Sequence, residues 1–200
     1  MSISNGYCTL AELKAALRIV DAIDDSLLEL AIESASREID GYCERSFTSE
    51  TATRVFSVDS SVLLLIDDLI SVTSIKTTNS TDWDTTWAAS DYQLEPLNGK
   101  VNGIAWPYTQ VRAVGNYLWP VWAVGTPSAN LASVQIVGVW GWSAVPTAIR
   151  QACVILAMRI FKRLDAPLGM ITNDMGSMRV GRFDPDVEAL VAPYRKVSAG

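Results

Sequence analysis

The chain has 200 residues, 49% of them hydrophobic, no histidine, and a formal charge of −6 at neutral pH. Its length and a mean hydropathy of +0.19 supply enough apolar material for a real core and argue against wholesale disorder. The acidic balance argues against a binder that neutralises nucleic-acid phosphates over its whole surface. The missing imidazole removes Ser-His-Asp and Cys-His catalysis and the commonest metal ligand.

Charge is unevenly spread. Residues 150–196 hold eight Lys/Arg and five Asp/Glu, while the remainder hold eight and seventeen. Either cations placed at helix ends or a partner-specific basic patch produces such a pattern. Cys8, Cys43 and Cys153 form no CxxC pair, so they read as small buried hydrophobes in a reducing compartment rather than as a disulfide framework or zinc site. The start MSISNGYCTL lacks the basic and apolar blocks of a signal peptide, and the densest apolar run, near Ala152–Phe161, is too short to span a bilayer.

Thr9 and Glu12 form a capping box, with Cys8 and Leu13 spaced as a hydrophobic staple, and Leu10, Leu13, Ala16 and Leu17 make one side of a first helix. After a hinge at residues 20–23, Asp24, Asp25 and Ser26 compete as caps, and Ser26 with Glu29 matches a second capping box. The helix that follows, to about Arg45, places Leu28, Ala31, Ile32, Ala35, Ile39 and Tyr42 on one face. Its other face carries Glu29, Glu33, Arg37, Asp40 and Glu44, with Glu33 and Arg37 spaced as an ion pair.

From Thr51 the pattern turns to strand: RVFSV, VLLLI and ISVTSIKT are rich in β-branched residues. Asn98-Gly99 suits a tight turn between YQLEP and KVNGI, because both residues tolerate positive φ. Residues 106–130, with irregular Trp, Pro and Gly, read as a long loop or edge hairpin. In ASVQIVGVWGW, Val134, Ile136, Trp140 and Trp142 alternate with Gln135, Val137 and Val139, and Gly138 and Gly141 mark a bulge or close packing.

The segment VPTAIRQACVILAMRIFKRLDAPLG reads as a buried central helix with Pro146 at its first position. Ile149, Ala152, Cys153, Leu156, Ile160 and Leu164 share one face. Ile155, Met158 and Phe161 fall outside that face, so they are candidates for core or subunit packing. Residues 170–182 are polar and glycine-bearing, which reads as a loop. Asp184 and Pro185 then cap a short last helix stopped by Pro193. The fold class expected is α+β: a small helical bundle from residues 1–48 and 143–196, a β-rich insertion at 49–142 between the second and third long helices, and a tail at 197–200.

No residues recommend chemistry. Asp67-Asp68, Asp82/Asp84 and Asp184/Asp186 lack the glycine and distal glutamate of a calcium loop and read as turn or cap residues, so no catalytic residue, metal or cofactor is expected. Seven tryptophans, Trp83, Trp87, Trp106, Trp119, Trp122, Trp140 and Trp142, all lie in the β-rich part. A base- or sugar-stacking platform is one account of them. Core packing for Trp140 and Trp142, and subunit contact for some of Trp106, Trp119 and Trp122, is the other.

YCTLAELKAALRI with DDSLLELAIESASREIDGYCERSF, VPTAIRQACVILAMRIFKRLDAPLG, and RFDPDVEALVAPYRK together resemble the head–tail connector (adaptor) proteins of tailed bacteriophages. That resemblance implies a structural virion protein and no enzyme. It implies a ring of about twelve copies between the portal and the stopper or tail-completion protein. DNA would be a partner only in passage, during packaging and ejection, and no membrane would be involved. It places the protein at the virion's head–tail interface, and in the host cytoplasm during assembly. Met175, Met178, Arg179, Arg182 and Phe183, within the 170–183 segment, become the candidate portal-contact loop. Ile155, Met158, Phe161, Trp119 and Trp122 are the candidate core or subunit contacts. A carbohydrate- or nucleic-acid-binding module built on the tryptophans is the competing reading.

Overall fold

Thr9 and Glu12 cap each other as their spacing predicts. The Glu12 amide donates to Thr9 Oγ1 at 3.2 Å and the Thr9 amide to Glu12 Oε2 at 2.8 Å, and helix α1 (Leu10–Leu17) begins there. Cys8 and Leu13, the staple pair, are both buried. Leu10 and Leu17 are half-buried, and Ala16 faces solvent instead of the core. The computed structural model describes residues 5–78, 82–101, 104–121, 132–163 and 185–196. It is an α+β fold in two units, Met1–Phe47 with Val145–Gly200 and Thr48–Ala144.

In the helical unit, α2 (Asp25–Cys43) has Asp24, one of the three competing caps, as its N-cap. Lys14 of α1 steadies that start: its ammonium holds Asp25 Oδ1 at 2.6 Å and also donates to the Asp21 carbonyl, which fixes the turn just ahead of Ser26. Leu28, Ala31, Ile32, Ala35 and Ile39 are buried as the periodicity requires. Arg37 reaches Asp40 at 2.9 Å, a three-residue spacing on the same helix. Helix α3 (Thr147–Lys162) starts one residue later than expected, with Pro146 as its N-cap, at an extended ψ of 145°, and not as its first helical residue. Ile149, Ala152, Cys153 and Leu156 are buried, and α3 packs against α1, α2 and α4 (Pro185–Val191). It is the central helix of its unit. Phe47 meets Tyr7 and Tyr194 edge-on, at 5.6 and 5.8 Å between ring centroids, closing one end of the bundle.

The other unit is built on one antiparallel sheet. Its strands are β1 (Ser49–Phe56), β2 (Leu63–Thr77), β3 (Thr85–Trp87), β4 (Tyr92–Glu95), β7 (Tyr108–Ala113) and β8 (Val134–Gly141), in the order β1-β8-β2-β7-β4 with β3 on β2. VLLLI and ISVTSIKT join into the single strand β2, which is irregular between Leu65 and Leu69. Asp67 and Asp68 sit at that irregularity, in the strand and not in a turn. Strand β7 corrects the expectation of a loop across 106–130: Val111 and Ala113 are buried between β2 and β4, a pairing partner supplied from far along the chain.

Asn98 does take positive φ (58°), but the strands on either side of it do not pair. Strand β4 joins β7, while β5 (Lys100–Val101) pairs with β6 (Ile104–Ala105) in a separate ribbon. Alternation along β8 holds: Val134, Ile136 and Trp140 are buried, and Trp142 beyond the strand is buried too. Gly138 and Gly141 are close-packing positions. A Cβ at Gly138 would lie 2.4 Å from the Ser71 carbonyl, and one at Gly141 (φ +96°) 1.8 Å from the Thr48 carbonyl.

Candidate assembly surfaces

The polar atoms in the middle of the helical unit are packed and hydrogen-bonded. Ser36 Oγ donates to the Ile32 carbonyl at 2.7 Å and accepts from the Tyr7 amide at 3.0 Å. Cys153 Sγ lies 3.4 Å from both Cys8 Sγ and Ser36 Oγ. Contact with Cys153, and then burial, pushes the Cys8 thiol well above the usual thiol range, and burial pushes Cys43 up to about 11. These are thiols held neutral, as small packed side chains are. Tyr7 Oη donates to Asp40 and accepts from the Phe47 amide at 2.9 Å; burial and then Asp40 push its hydroxyl up to about 12.

The outer faces carry the more informative pattern. Val20 and Ile23, in the turn between α1 and α2, are 96% and 85% exposed, and Leu27 and Leu30 on α2 are exposed as well. Sequence reading took α2's outer side as simply polar and missed them. The signal was there, since Leu27 and Leu30 fall off the Leu28-Ala31-Ile32-Ala35-Ile39 stripe. At 100° per residue Leu27, Leu30, Ser34 and Gly41 share one narrow arc, turned away from the buried stripe. On α3 the same construction puts Gln151, Ile155, Met158 and Lys162 on the arc opposite Ile149, Ala152 and Leu156. Gln151 and Lys162 are exposed, and Ile155, Met158 and Phe161 are half-buried.

Helix α2 carries Asp25, Glu29, Glu33, Glu38 and Asp40 against Arg37, whereas α3 carries Arg150, Arg159 and Lys162 and no carboxylate. Some of these charges are engaged within the chain, Asp25 by Lys14 and Arg150 by Glu12 at 3.7 Å. The helices nonetheless differ in sign.

Of the other candidates, Trp119 is buried and stacks on Trp87, ring centroids 4.0 Å apart, in the core of the sheet unit. Trp122, Met175, Met178, Arg179, Arg182 and Phe183 lie outside the described residues. A stacking platform needs open ring faces, and the described tryptophans mostly lack them. Trp87, Trp140 and Trp142 are buried, and their indole N–H groups donate to Thr77 Oγ1 (3.0 Å), the Ala52 carbonyl (2.9 Å) and Asp68 Oδ2 (3.0 Å). A cleft of about 240 Å³ beside half-buried Trp106 and Tyr108 offers Asn98 and Ser143 as side-chain polar groups. Asp68 is taken by Trp142, and Asp67 by Arg54 at 2.8 Å. Among the described residues no three Cys, Asp or Glu side chains gather as metal ligands, and no helix is long and apolar enough to cross a membrane.

Residues 7–85 match the family model described as phage gp6-like head-tail connector protein. The resemblance carried by the first two helices is borne out, while α3 and α4 lie outside the match. Solved structures share the fold over the whole length. The chain is similar to one in the neck of an empty gene transfer agent (GTA) particle computed with six-fold symmetry, at 19% identity and TM-score 0.58. It is similar to one in the neck of the native GTA particle computed with twelve-fold symmetry, at 18% and 0.57, and to one in the native GTA virion, at 20% and 0.57. Each match covers 100% of this chain and 96% of the other, and what they show is a shared fold. No curated protein sequence matches the chain.

Proposed function

We propose that the protein is a structural head–tail connector, a neck component of a tailed-phage-type particle that works as a ring of identical copies. The observation that carries this reading is the family match over residues 7–85, which spans both capped N-terminal helices and the first strands. Fold likeness to neck proteins, one of them computed with twelve-fold symmetry, supports a ring. An assembly of this kind needs packed surfaces and an open channel, and no group that makes or breaks bonds.

A net charge of −6 suits a lumen through which DNA must slide without being gripped. The ring would stand between a portal and a stopper, with residues 170–183 folding onto the portal and Arg179 and Arg182 supplying cationic contacts. Negative-stain microscopy of the chain mixed with its particle's portal protein tests the reading. A ring seated on the portal is expected. Deleting residues 177–182 should leave the melting temperature unchanged and abolish seating; a deletion that seats normally would remove the loop from the mechanism. A portal that never acquires a ring would overturn the connector reading itself.

A further inference from the structure

The two outward stripes of the helical unit are similar in length, lie on helices of opposite charge, and point apart. Helices α2 and α3 pack on each other through their buried faces. The arc of Leu27, Leu30, Ser34 and Gly41 and the arc of Gln151, Ile155, Met158 and Lys162 therefore lie on opposite sides of the pair. The first stripe runs roughly 21 Å and the second roughly 17 Å, at 1.5 Å per helical residue. Resting on the ring reading above, we propose that the outer stripe of α2, with Val20 and Ile23 at its end, seats on the outer stripe of α3 of a second copy of this chain.

Three observations carry it. Val20, Ile23, Leu27 and Leu30, within eleven residues of one another, are all exposed, which costs solubility in a chain that stays alone. Charge is complementary, since α2 is dominated by carboxylates and α3 has only cations. Gly41 lies within α2, takes no positive φ, and a Cβ there would meet no packed neighbour within 4 Å among the described residues. A helical glycine with open space beside it suits a close approach from outside. Because a face of one kind meets a different face of the next copy, each subunit keeps one of each exposed, and repetition closes a ring by rotation.

Four variants test the contact. Leu30→Asp and Gly41→Arg alter exposed positions on α2, and Met158→Asp and Lys162→Glu alter α3. Native mass spectrometry and negative-stain microscopy, with the chain alone and with its portal, read assembly, and circular dichroism reads folding. All four should fold, and each should lose the ring that the unaltered chain forms. Lys162→Glu, fully on the surface, decides the α3 side if Met158→Asp fails to fold. A mixture of Leu30→Asp and Met158→Asp chains should give dimers and nothing larger, since only one intact contact can form. Full rings from both Leu30→Asp and Gly41→Arg would overturn this contact while leaving the connector reading in place. Absence of a ring from the unaltered chain under both conditions would overturn that reading and the contact with it.

Discussion

The sulfur atoms of Cys8 and Cys153 lie 3.4 Å apart inside the helical unit, although 145 positions separate them in the chain. They join the residue just ahead of α1 to the middle of α3, so the two ends of the sequence share one core. Cys8 is 4% and Cys153 0% exposed; their contact pushes the Cys8 thiol up and the Cys153 thiol down, while burial raises both and keeps both sulfurs away from solvent. Ellman's reagent at pH 8 should label none of the three cysteines in the folded chain and all of them in denaturant. Labelling should follow the rate of global opening. One thiol reacting within seconds under native conditions would show that this corner is open.

Alkaline pH should destabilise the helical unit. Burial holds the Cys43 proton to about 11 and the Tyr7 proton to about 12, against ordinary values of 9.0 and 10.0 in the unfolded chain. Both groups thus favour the folded state fully below pH 9, and that advantage drains as pH rises from 9 toward 12. Melting temperature measured across that window should fall steadily, and Tyr7→Phe should flatten the part above pH 10. The same substitution removes the acceptor of the Phe47 amide and a donor to Asp40, which should cost about 1–3 kcal/mol at neutral pH. A Tyr7→Phe chain with an unchanged alkaline slope would assign the loss elsewhere.

How much of this was legible beforehand follows from the range of the forces involved. Thr9 and Glu12 are three residues apart, and the stripe from Leu28 to Ile39 is set by one helix's own period, so both could be read directly. The strand Tyr108–Ala113 could not, because what makes YTQVRA a strand is burial between β2 and β4. Among the competing caps Asp24, Asp25 and Ser26 no choice could be read from the letters alone; Asp24 takes the position, and Lys14, eleven residues before Asp25, holds Asp25 beside it. Leu27 and Leu30 were visible as apolar letters, but a leucine's exposure depends on which neighbours arrive, and sequence periodicity alone assigned them no role.

Gly141 should be the least replaceable residue of the sheet unit. Its φ of +96° is one that L side chains rarely adopt, and a methyl group would stand 1.8 Å from the Thr48 carbonyl. Relief requires the start of β1 to move off β8, to which Ser49 is paired at Gly141 itself. Gly141→Ala should therefore cost about 3 kcal/mol or more, strain and lost pairing together. Gly138→Ala should cost less, since its φ is ordinary and Ser71 sits at an irregular point of β2. Urea denaturation of the two variants, followed by tryptophan fluorescence, gives the order. Equal midpoints would mean that the sheet edge yields freely at Thr48.

Gly41 should behave in the opposite way. It occupies an exposed position near the end of α2, and among the described residues no packed neighbour lies within 4 Å of where a side chain would begin. Alanine in a helix is favoured over glycine by about 1 kcal/mol, chiefly through the backbone freedom glycine loses on folding. Gly41→Ala should therefore raise the melting temperature of the isolated chain by a few degrees, of the order expected for ~1 kcal/mol. A chain that grows more stable when a residue is replaced has kept that residue for something other than its own stability. If Gly41→Ala is more stable alone yet assembles more weakly in the ring, the glycine is serving the neighbouring copy. If it is less stable alone, the glycine answers to a constraint within α2 and the outer stripe loses one of its supports.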